Sequence, residues 1–580
     1  MDARALSFIP FQRHFRDRKG LADPGAPSLS SAKNEPEMQM KTPRHFTLRH
    51  AFSACLFITL AACGGGSSND VAVLQGTQSS TQARMQALAT GASATESASN
   101  TSAAALARSK GNKVERVLLL SIDGLHQFDL VNYIAAHPTS ALATLVARGT
   151  QYTQTTSSRP SDSFPGTLAM TTGGSSASTG IYYDVAWDDR LSPAGDTACA
   201  KRGAVAAFDG QANVDDTVVN AVLDPNKFPR DPDLGCTPVY PHSFLRVNTI
   251  FEVIKAHGGR TAVTDKHPSY ELLNGPSGKG IDDFWGPEND ANGAKKDIAK
   301  MQAYDETKVQ AVINQIDGFE HTRTTHVGVP TIMMMNFQSA NIGEKVGGYA
   351  DAIGTPTAAL TGAFNYVDGA LARILARLAA QGLADSTLVI VTAKHANAPV
   401  ELASRRAIDP ASIDAIVNAV QPGLLALNTP DTISILWLKD HRKTADVAAA
   451  LQAQAAAIGA ETIYSGDQLR NIFGGTLDFA RHRRPDIIIQ PLPGVIYTTS
   501  GASAKKVEHG GFSEQNTHVP LIIAGPRVNA GTVTRPVDLR QLAPTILKAL
   551  AINSKELQAV RKEGTKRLPV ADDDEERDED

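Results

Sequence analysis

Short apolar runs recur along the chain and are bounded by polar segments. Residues 117–122 (VLLLSI), 387–392 (TLVIVT) and 519–524 (VPLIIA) lack the polar alternation of a half-exposed strand. Such continuous runs are typical of strands that are buried on both faces of a parallel sheet. We therefore predict a buried strand at each of these runs. Further strands are predicted at residues 260–263, 331–335, 433–438 and 486–490.

Segments of helical periodicity lie between these strands or follow them. Their apolar residues recur at the spacing of one helix face, which predicts helices that pack on a core. Alternation of strands and helices predicts the α/β class, with a mostly parallel central sheet and helices on both of its faces. The predicted helices cover residues 244–256, 357–381, 444–458 and 537–550.

Most of the 580 residues are assigned to one large domain, at residues 113–555. Hydrophobic residues make up 42% of the chain and charged residues 20%, which excludes global disorder. Residues 184–243 are rich in Asp, Pro and Gly and show no clear periodicity, so we predict a loop-rich insertion there. In a parallel α/β sheet the ligand binds outside the carboxyl ends of the strands.

The amino-terminal region has the pattern of an export signal. Lys41, Arg44 and Arg49 precede an apolar stretch, residues 51–62, that is too short to span a bilayer as a helix. The stretch ends at Cys63, which Gly and Ser residues follow. This pattern resembles a bacterial lipoprotein signal, which implies that Cys63 is lipid-modified.

An ordinary cleaved signal with an incidental Cys63 remains the alternative interpretation. We expect residues 1–62 to form the signal region and residues 1–37 to be an over-extended gene start. The expected location is the cell envelope, with the protein lipid-anchored to the membrane and periplasmic or at the outer membrane.

The two ends of the folded region differ in composition from its interior. Residues 63–112 are mostly Gly, Ser, Thr and Ala, which predicts a flexible tether. Residues 556–580 end in the acidic run DDDEERDED, which predicts a charged, disordered tail. The formal net charge is −4, so binding of a nucleic-acid polymer is not expected.

Cys199 and Cys236 are the two cysteines that lie outside the signal region. An even pair in an exported protein predicts a disulfide between them. A shared metal site is the alternative, although neither a C-x-x-C spacing nor a flanking His supports it.

Four segments carry candidate chemistry. Asp123-Gly124 follows the first strand, and residues 159–173 read RPSDSFPGTLAMTTG. Residues 389–395 read VIVTAKH, and residues 508–513 read EHGGFS. In this order the segments resemble the alkaline phosphatase superfamily, and within it the type I phosphodiesterase / nucleotide pyrophosphatase family. Residues 538–547 (DLRQLAPTIL) resemble the closing helix of that family.

The resemblance implies a serine nucleophile and a divalent metal, with zinc as the expected ion at one or two positions. Ser163 is the implied nucleophile and a metal contact, and Pro165 suits the first turn of a helix. There the helix dipole and free N–H groups favour phosphoryl oxygens. Asp123, His395 and His509 are the implied metal ligands. A helix N-cap is the alternative role for Ser163.

Three of the family's six ligand positions are changed in this sequence. Ala340 stands at an Asp position, Glu344 at a His position and Lys394 at another Asp position. Glu344 is still a candidate metal ligand through its carboxylate oxygens, and Asn341 lies beside the changed Ala340. We therefore expect that one metal is lost and that Lys394 is a catalytic residue that supplies part of its charge.

Residues 264–270 (TDKHPSY) place an acid, a base and an imidazole directly after a short strand. They resemble a stretch near the substrate in related proteins. Asp265, Lys266 and His267 are accordingly predicted to bind substrate, together with Asn341, although a hydrogen-bonded loop is an equal alternative.

The leading hypothesis is an exported, metal-dependent hydrolase of small phosphodiesters or related phosphate esters, with Ser163 as nucleophile. A degenerate relative that binds anionic or cell-surface ligands without turnover is the main alternative. A third possibility is a mutase or transferase of the same fold, for which the sequence shows no distinct ligand set.

Overall fold

The computed structural model describes residues 113–351, 353–399, 403, 405–473, 482–499 and 505–570. The predicted signal region, Cys63 and the tether lie outside the described residues, as does the acidic run at 571–580. Among the described residues, no helix has the length and apolar character needed to cross a membrane.

Strands and helices alternate over most of the described chain. The strands in chain order are β1 Arg116–Ile122, β2 Thr150–Thr156, β3 Val185–Asp188, β4 Ala204–Ala207, β5 Arg230–Asp231, β6 Thr237–Pro238, β7 Thr261–Thr264, β8 Asp283–Trp285, β9 Ile332–Phe337, β10 Thr387–Thr392, β11 Arg406–Ile408, β12 Leu425–Pro430, β13 Ser434–Leu438, β14 Ala460–Ser465, β15 Ile487–Pro491, β16 Val495–Tyr497, β17 His518–Ala524, β18 Gly531–Val533 and β19 Val537–Asp538. The helices are α1 Gln127–Ala136, α2 Ala141–Arg148, α3 Ser163–Thr172, α4 Ser176–Thr179, α5 Pro241–Phe244, α6 Ile250–Ala256, α7 Ile298–Ile316, α8 Ser339–Ile342, α9 Ala358–Ala380, α10 Ala411–Val420, α11 Thr444–Ala453, α12 Asp467–Phe473, α13 Glu514–Thr517, α14 Leu542–Ala549 and α15 Gln558–Glu563.

A nine-stranded sheet forms the centre of the fold, in the order β18-β2-β17-β10-β1-β9-β7-β8, with β19 also pairing with β2. β17 is antiparallel to both of its neighbours, whereas the other described pairings in this sheet are parallel. The predicted α/β class with a mostly parallel central sheet is therefore confirmed. β1 lies inside the sheet, where Leu119 pairs with Ile390 and Met334.

Residues of β1, β9 and β10 are almost completely buried, as their continuous apolar runs predict. The long helices α7 and α9 pack against each other, and α7 also contacts β7 and β9. One helix was predicted over residues 244–256, but α5 ends at Phe244 and α6 covers only Ile250–Ala256. Thr249 caps α6 and exchanges hydrogen bonds with Glu252, so the second helix begins there.

Two predicted strands belong to a different sheet. Residues 433–438 and 486–490 were expected in the mostly parallel sheet, but β13 and β15 pair antiparallel in a four-stranded sheet, β12-β13-β15-β14. One face of β13 packs its Trp437 with Tyr182 and Tyr183, and the other packs Leu436 among residues of α10 and α11. Because both faces are covered, these antiparallel strands show the same continuous apolar pattern.

The insertion at residues 184–243 contains the short strand pairs β3–β4 and β5–β6 and several single turns. A disulfide joins Cys199 to Cys236 within it, as predicted. Many of its turns are closed by Asp side chains that accept from the backbone two residues later, as Asp209 and Asp224 do. The frequent Asp residues of this segment thus stabilise local turns.

The folded chain extends beyond the predicted boundary at residue 555. Residues 556–570 were expected in the disordered tail, but they include α15, and Leu557, Val560 and Leu568 are buried in the main core. These apolar side chains pack while charged residues between them, such as Arg561 and Lys562, are exposed. Its many charged residues are the reason why this short amphipathic segment was predicted as part of the tail.

Candidate active site

Side chains that follow three strands of the central sheet meet at one edge of it. Asp123 directly follows β1, Lys266 follows β7, and Lys394 and His395 follow β10. The carboxyl ends of parallel strands lie at a common edge, so residues far apart in sequence are brought together there. The positive φ of Gly124, +87°, directs the chain away after Asp123.

Ser163 is the first residue of α3, and its hydroxyl does not cap the helix. Asp162 is the N-cap, since its Oδ1 accepts a hydrogen bond from the backbone N–H of Phe164 at 3.1 Å. The first turn of α3 also packs tightly on the β10 edge, because a Cβ at Gly166 would lie 2.1 Å from the carbonyl oxygen of Lys394. The alternative role of Ser163 as an N-cap is therefore not observed.

The Ser163 hydroxyl lies between an ammonium and an imidazole. Lys266 Nζ donates to Ser163 Oγ at 2.9 Å, and His395 Nε2 lies 3.1 Å from the same oxygen. All three side chains are buried. Because Lys266 donates to Ser163 Oγ, the single hydroxyl proton of Ser163 can be donated to His395 Nε2.

Asp123 is the carboxylate that pairs with Lys266 in this arrangement. Its Oδ2 lies 3.0 Å from Lys266 Nζ and accepts from Gln338 Nε2 at 2.5 Å. Burial alone would raise the pKa of Asp123, but the charges of Lys394 and Lys266 outweigh it and hold this pKa well below its usual range. Asp123 is therefore a carboxylate at neutral pH.

Gln338 is held in place from beneath by a second buried ion pair. The Asp305 carboxylate accepts from the backbone N–H groups of Gln338 and Ser339, at 2.9 and 2.7 Å. Lys308 Nζ balances this carboxylate at 3.0 Å. The turn after β9 is thereby fixed, and the Gln338 amide points at Asp123.

Lys394 is completely buried and does not touch Ser163 in the contacts that the structure describes. Its Nζ donates to Asp265 Oδ1 at 2.6 Å and to the Tyr270 hydroxyl at 3.1 Å, and lies 4.0 Å from Asp123. Burial lowers the pKa of Lys394, although the charges of Asp123 and Asp265 oppose this. Burial also acts on Lys266, but there Asp123 outweighs it and the pKa is raised.

His395 and His509 lie against each other, with ring centroids 3.9 Å apart. Burial is the main cause that lowers the pKa of His395 to about 3, although Asp123 partly opposes it. Burial likewise holds the pKa of His509 well below its usual range. Both imidazoles are therefore neutral at pH 7, which leaves each with one accepting nitrogen.

His509 reaches this edge from the antiparallel strand. It precedes β17, whose amino end lies beside the carboxyl end of β10 because the two strands run in opposite directions. The backbone N–H of Gly510 donates to Ser161 O at 2.9 Å, which ties this segment to the turn before α3.

A second group of charges surrounds Glu508. Lys345 Nζ lies 2.8 Å from Glu508 Oε2, and Lys505 contacts both Glu508 and Asp431, the latter at 3.1 Å. Burial would raise the pKa of Glu508, but Lys345 and Lys505 hold it well below its usual range. Burial and the charge of Glu508 raise the pKa of Asp431.

Glu344 and Asn341 belong to a hydrogen-bonded network with Asn397. The Asn397 amide donates to Asn341 Oδ1 at 2.9 Å and also contacts Glu344 Oε2. Burial, followed by the nearby charge of Asp129, raises the pKa of Glu344 well above its usual range. Glu344 Oε2 is thus already engaged by the Asn397 amide in this arrangement.

His267 turns away from the serine. Its Nδ1 lies 2.8 Å from Glu288 Oε2 in a buried pair that also includes Asn213. Its neighbour Asp265 pairs with Lys394. Asp265, Lys266 and His267, which were predicted together, therefore each contact a different partner. Of these three, Lys266 is the one that touches Ser163.

A cavity of about 620 Å³ opens over Ser163. Its volume is in the range of small-ligand sites. Both signs of charge line it, and the basic side chains outnumber the acidic ones. The charged lining residues are Lys266, Lys295, Lys296, Lys345, Lys505 and Lys506, with Asp162, Asp184, Asp209, Asp431 and Glu508.

The model of the type I phosphodiesterase / nucleotide pyrophosphatase family matches residues 117–513. The chain belongs to this family. No curated protein matches the sequence significantly. The family shows the chain to be of the alkaline-phosphatase-like phosphoester hydrolase type, and the four segments quoted above fall inside the matched region.

Solved structures agree with the family in fold. Murine ectonucleotide pyrophosphatase / phosphodiesterase 5, solved in complex with AMP, is 14% identical with a TM-score of 0.51, and the match covers 76% of this chain and 96% of that one. The alkaline phosphatase PafA is 12% identical with a TM-score of 0.52 and the same coverage. At these identities the likeness extends to the fold alone.

Members of the type I phosphodiesterase family are metal-dependent, usually through zinc, so the fit of the residues to such an ion was tested at Ser163. An ion bound by Asp123, Ser163 and His395 together would meet the Lys266 ammonium, which already contacts two of these ligands. Lys394 adds a second positive charge nearby. The arrangement therefore does not fit a divalent cation.

The other ligand positions of the family do not assemble a site either. Ala340 has no ligand atom, and Glu344 is bonded to Asn397. Within the described ranges, one group of three potential ligands lies together, with its ligand atoms within 4.8 Å of one another: Asp431, Glu508 and His509. Both carboxylates of this group already contact Lys505.

Several residues of the site were not singled out from sequence. Tyr270 lies in the quoted segment 264–270 and Gln338 follows a predicted strand, but neither has a motif of its own. Asp431 comes from the turn between β12 and β13, and its carboxylate accepts from the Tyr183 hydroxyl at 2.9 Å. Nothing local in the sequence marks a loop of the antiparallel sheet as part of this cavity.

Proposed function

We propose that this protein hydrolyses small phosphodiesters or related phosphate esters through Ser163. The observation that carries the proposal is the position of the Ser163 hydroxyl at the start of α3, between Lys266 Nζ at 2.9 Å and His395 Nε2 at 3.1 Å. A serine hydroxyl needs an adjacent base to become an effective nucleophile, and a neutral His395 is such a base.

The reaction follows from these contacts. Ser163 Oγ forms a bond to phosphorus while its proton passes to His395 Nε2. The bond from phosphorus to the leaving alcohol breaks, and the alcohol oxygen takes the proton from His395. Lys266 stays hydrogen-bonded to Oγ and stabilises the negative charge that develops on this oxygen.

Water completes the cycle. It attacks phosphorus of the phosphoserine and gives a proton to His395, and the bond from phosphorus to Ser163 Oγ then breaks. Oγ leaves as an alkoxide next to Lys266 and takes the proton back from His395. The products are the alcohol and a phosphate or phosphate monoester, and the enzyme is regenerated.

The basic lining of the cavity supports an anionic substrate. Lys296 and Lys506 line it in addition to the lysines that contact carboxylates, among which Lys295 contacts Asp290. A mixed, polar lining and a volume of about 620 Å³ suit a compact polar ester better than an extended apolar ligand.

The test is hydrolysis of bis(p-nitrophenyl) phosphate and of p-nitrophenyl phosphate by the purified protein and by Ser163→Ala. We expect the substitution to reduce kcat/KM by about 10³-fold or more, because the covalent step is lost. Ser178→Ala is the matched control, since Ser178 is a buried serine of α4 outside the cavity lining.

Equal melting temperatures would show that both variants fold. Activity that survives Ser163→Ala would contradict the proposal. Absence of turnover of either ester by the wild type, with saturable binding of inorganic phosphate or AMP, would instead favour the non-catalytic alternative, which the changes at Ala340 and Lys394 support.

We also propose, from the sequence pattern alone, that the protein is exported and anchored by lipid on Cys63. Expression with labelled palmitate followed by membrane fractionation tests this. Label on the wild type and its loss in Cys63→Ser, with release into the soluble periplasmic fraction, is the expected result. An unlabelled wild type would contradict it.

A further inference from the structure

The Ser163 site achieves charge balance without a metal ion. Two ammoniums, of Lys266 and Lys394, face two carboxylates, of Asp123 and Asp265, at 3.0 Å and 2.6 Å respectively. All four side chains are nearly or completely buried. Buried charges persist in proteins when they are paired in this way, so these four groups form a self-sufficient set.

We propose that the Lys266 ammonium is the permanent cationic group of this active site and takes the place of the zinc ion beside the nucleophile. Its role in turnover rests on the proposed function of Ser163. The exclusion of zinc from this position does not, because it follows from contacts of the folded protein alone.

Lys266 touches the same groups that such an ion would bind. Its Nζ lies 2.9 Å from the nucleophilic oxygen and 3.0 Å from Asp123 Oδ2, and His395 Nε2 lies 3.9 Å from that carboxylate oxygen. One ammonium thus connects nucleophile and carboxylate as a bridging cation would. It carries a fixed charge and three N–H donors, which suit Ser163 Oγ when it is negatively charged.

Lys394 acts as a positioning residue in this scheme. It stands at the position where the family has a carboxylate ligand, and it binds Asp265 and Tyr270 instead of Ser163. Asp265 Oδ1 in turn accepts from the backbone N–H of Lys266 at 2.7 Å. Lys394 therefore orients the segment that carries Lys266.

A zinc ion added to this set would introduce two positive charges into a buried group that is already neutral. Each of these charges would be repelled by the ammoniums that are already present, and the repulsion is stronger in a buried site than in water. The ion would have to displace Lys266 from both of its partners. The structure thus favours a resident ammonium over a metal.

The first experiment measures zinc binding and needs no turnover. The purified full chain is dialysed against chelator, and calorimetric titration with zinc chloride is compared between the wild type and Asp123→Asn. We expect no binding that depends on Asp123. Zinc that binds the wild type and is lost in Asp123→Asn would overturn the proposal.

Zinc that binds equally to both proteins would lie elsewhere, and Glu508→Gln would assign it to the group of Asp431, Glu508 and His509. That result supports the proposal, because the position beside Ser163 still lacks the ion.

The second experiment removes the ammoniums beside Ser163, so that a zinc ion can bind there. The double variant Lys266→Ala, Lys394→Asp removes both ammoniums and restores a carboxylate, so we expect it to bind one zinc ion at least 100-fold more tightly than the wild type. The matched control is Lys255→Ala, which removes a lysine paired with Asp282 at 2.7 Å outside the cavity lining. Equal zinc affinity in the double variant and the wild type, with circular dichroism showing that the double variant is folded at the assay temperature, would overturn the claim that Lys266 excludes the ion.

The third experiment addresses turnover. We expect kcat/KM of the wild type to change less than 2-fold after treatment with chelator. A loss of more than 10-fold that zinc restores would overturn the proposal. A protein that neither turns over nor binds zinc at Asp123 would contradict the proposed function while leaving this inference intact.

Discussion

Two groups of lysines and carboxylates meet where the rings of His395 and His509 contact each other, and they differ in burial. The Ser163 group contains Asp123, Ser163, Asp265, Lys266, Lys394 and His395, and all of it is buried. The Glu508 group contains Lys345, Asp431, Lys505, Glu508 and His509, and its Lys505 side chain is 44% exposed. The same residue types thus form a fully buried group in one place and a partly exposed cavity wall in the other.

The comparison teaches that burial, rather than the number of ion pairs, decides what a charge contributes. Removal of one partner from a buried pair leaves an unpaired charge in a medium that solvates it poorly, whereas an exposed partner is replaced by water. The predictions below test this difference, from the largest expected effect to the smallest.

Lys266→Met should have the largest effect. It leaves the Asp123 carboxylate without its nearest ammonium, and breaking a buried pair in this way costs about 3–5 kcal/mol of unfolding free energy. Hydrolysis should fall by about 10²–10³-fold, because a preorganised donor to the reacting oxygen is lost. Urea denaturation and steady-state kinetics measure the two effects. Unchanged stability would mean that Lys266 and Asp123 are not paired in the protein.

Gly166→Ala tests the close approach of α3 to the β10 edge. The new Cβ would lie 2.1 Å from a backbone oxygen of Lys394, which cannot move away as a flexible side chain does, and we expect a loss of about 1–3 kcal/mol.

Gly362→Ala is the control for Gly166→Ala. It also lies in a helix, α9, but has no atom within 4 Å of the added Cβ, so it should stabilise the protein by about 0.5–1 kcal/mol. Equal effects of the two substitutions would argue against a tight contact at α3.

Acid should destabilise the protein through the buried imidazoles. The pKa of His395 is about 3 in the folded protein against 6.5 in the unfolded chain, so the unfolded state binds the proton first as pH falls from about 6.5 to about 3. Stability is complete above this window and is lost within it, by at most about 1.4 kcal/mol per pH unit for this group.

Denaturation of the wild type and of His395→Gln at pH 7 and pH 5 measures this contribution. The variant should lose less stability between the two pH values than the wild type does. A larger loss in the variant would mean that His395 is charged in the folded protein.

Lys505→Ala should have the smallest effect. The Lys505 side chain is 44% exposed, so water replaces part of its contacts, and Glu508 keeps its contact with Lys345; we expect a loss of about 1 kcal/mol or less. We expect hydrolysis to change less than 10-fold. A loss as large as that of Lys266→Met would show that the two groups are equivalent, contrary to the comparison.

The sequence was most informative where one local pattern had one cause. Residues 387–392 form a strand with the predicted bounds because an apolar run with β-branched residues fits a buried strand. Asp123 and His395 were expected at strand ends, and the parallel sheet brings both to one edge with Ser163.

The remainder depended on contacts that no local pattern records. Lys266 was placed near the substrate from its segment, but its contact with Ser163 depends on how a long side chain packs between β1 and α3. Asp431 reaches the cavity from a separate antiparallel sheet, whose strands have the apolar pattern of the central one.

The single antiparallel strand has a consequence for how the protein folds. β17 inserts between β2 and β10, and its residue His518 pairs with Thr156, so this contact joins distant parts of the chain. Loops of this length close late and slow the folding of the sheet. During synthesis the β10 edge stays open until β17 has emerged, and the segment with His509 arrives just before it. The site is therefore completed only when nearly the whole chain has been made.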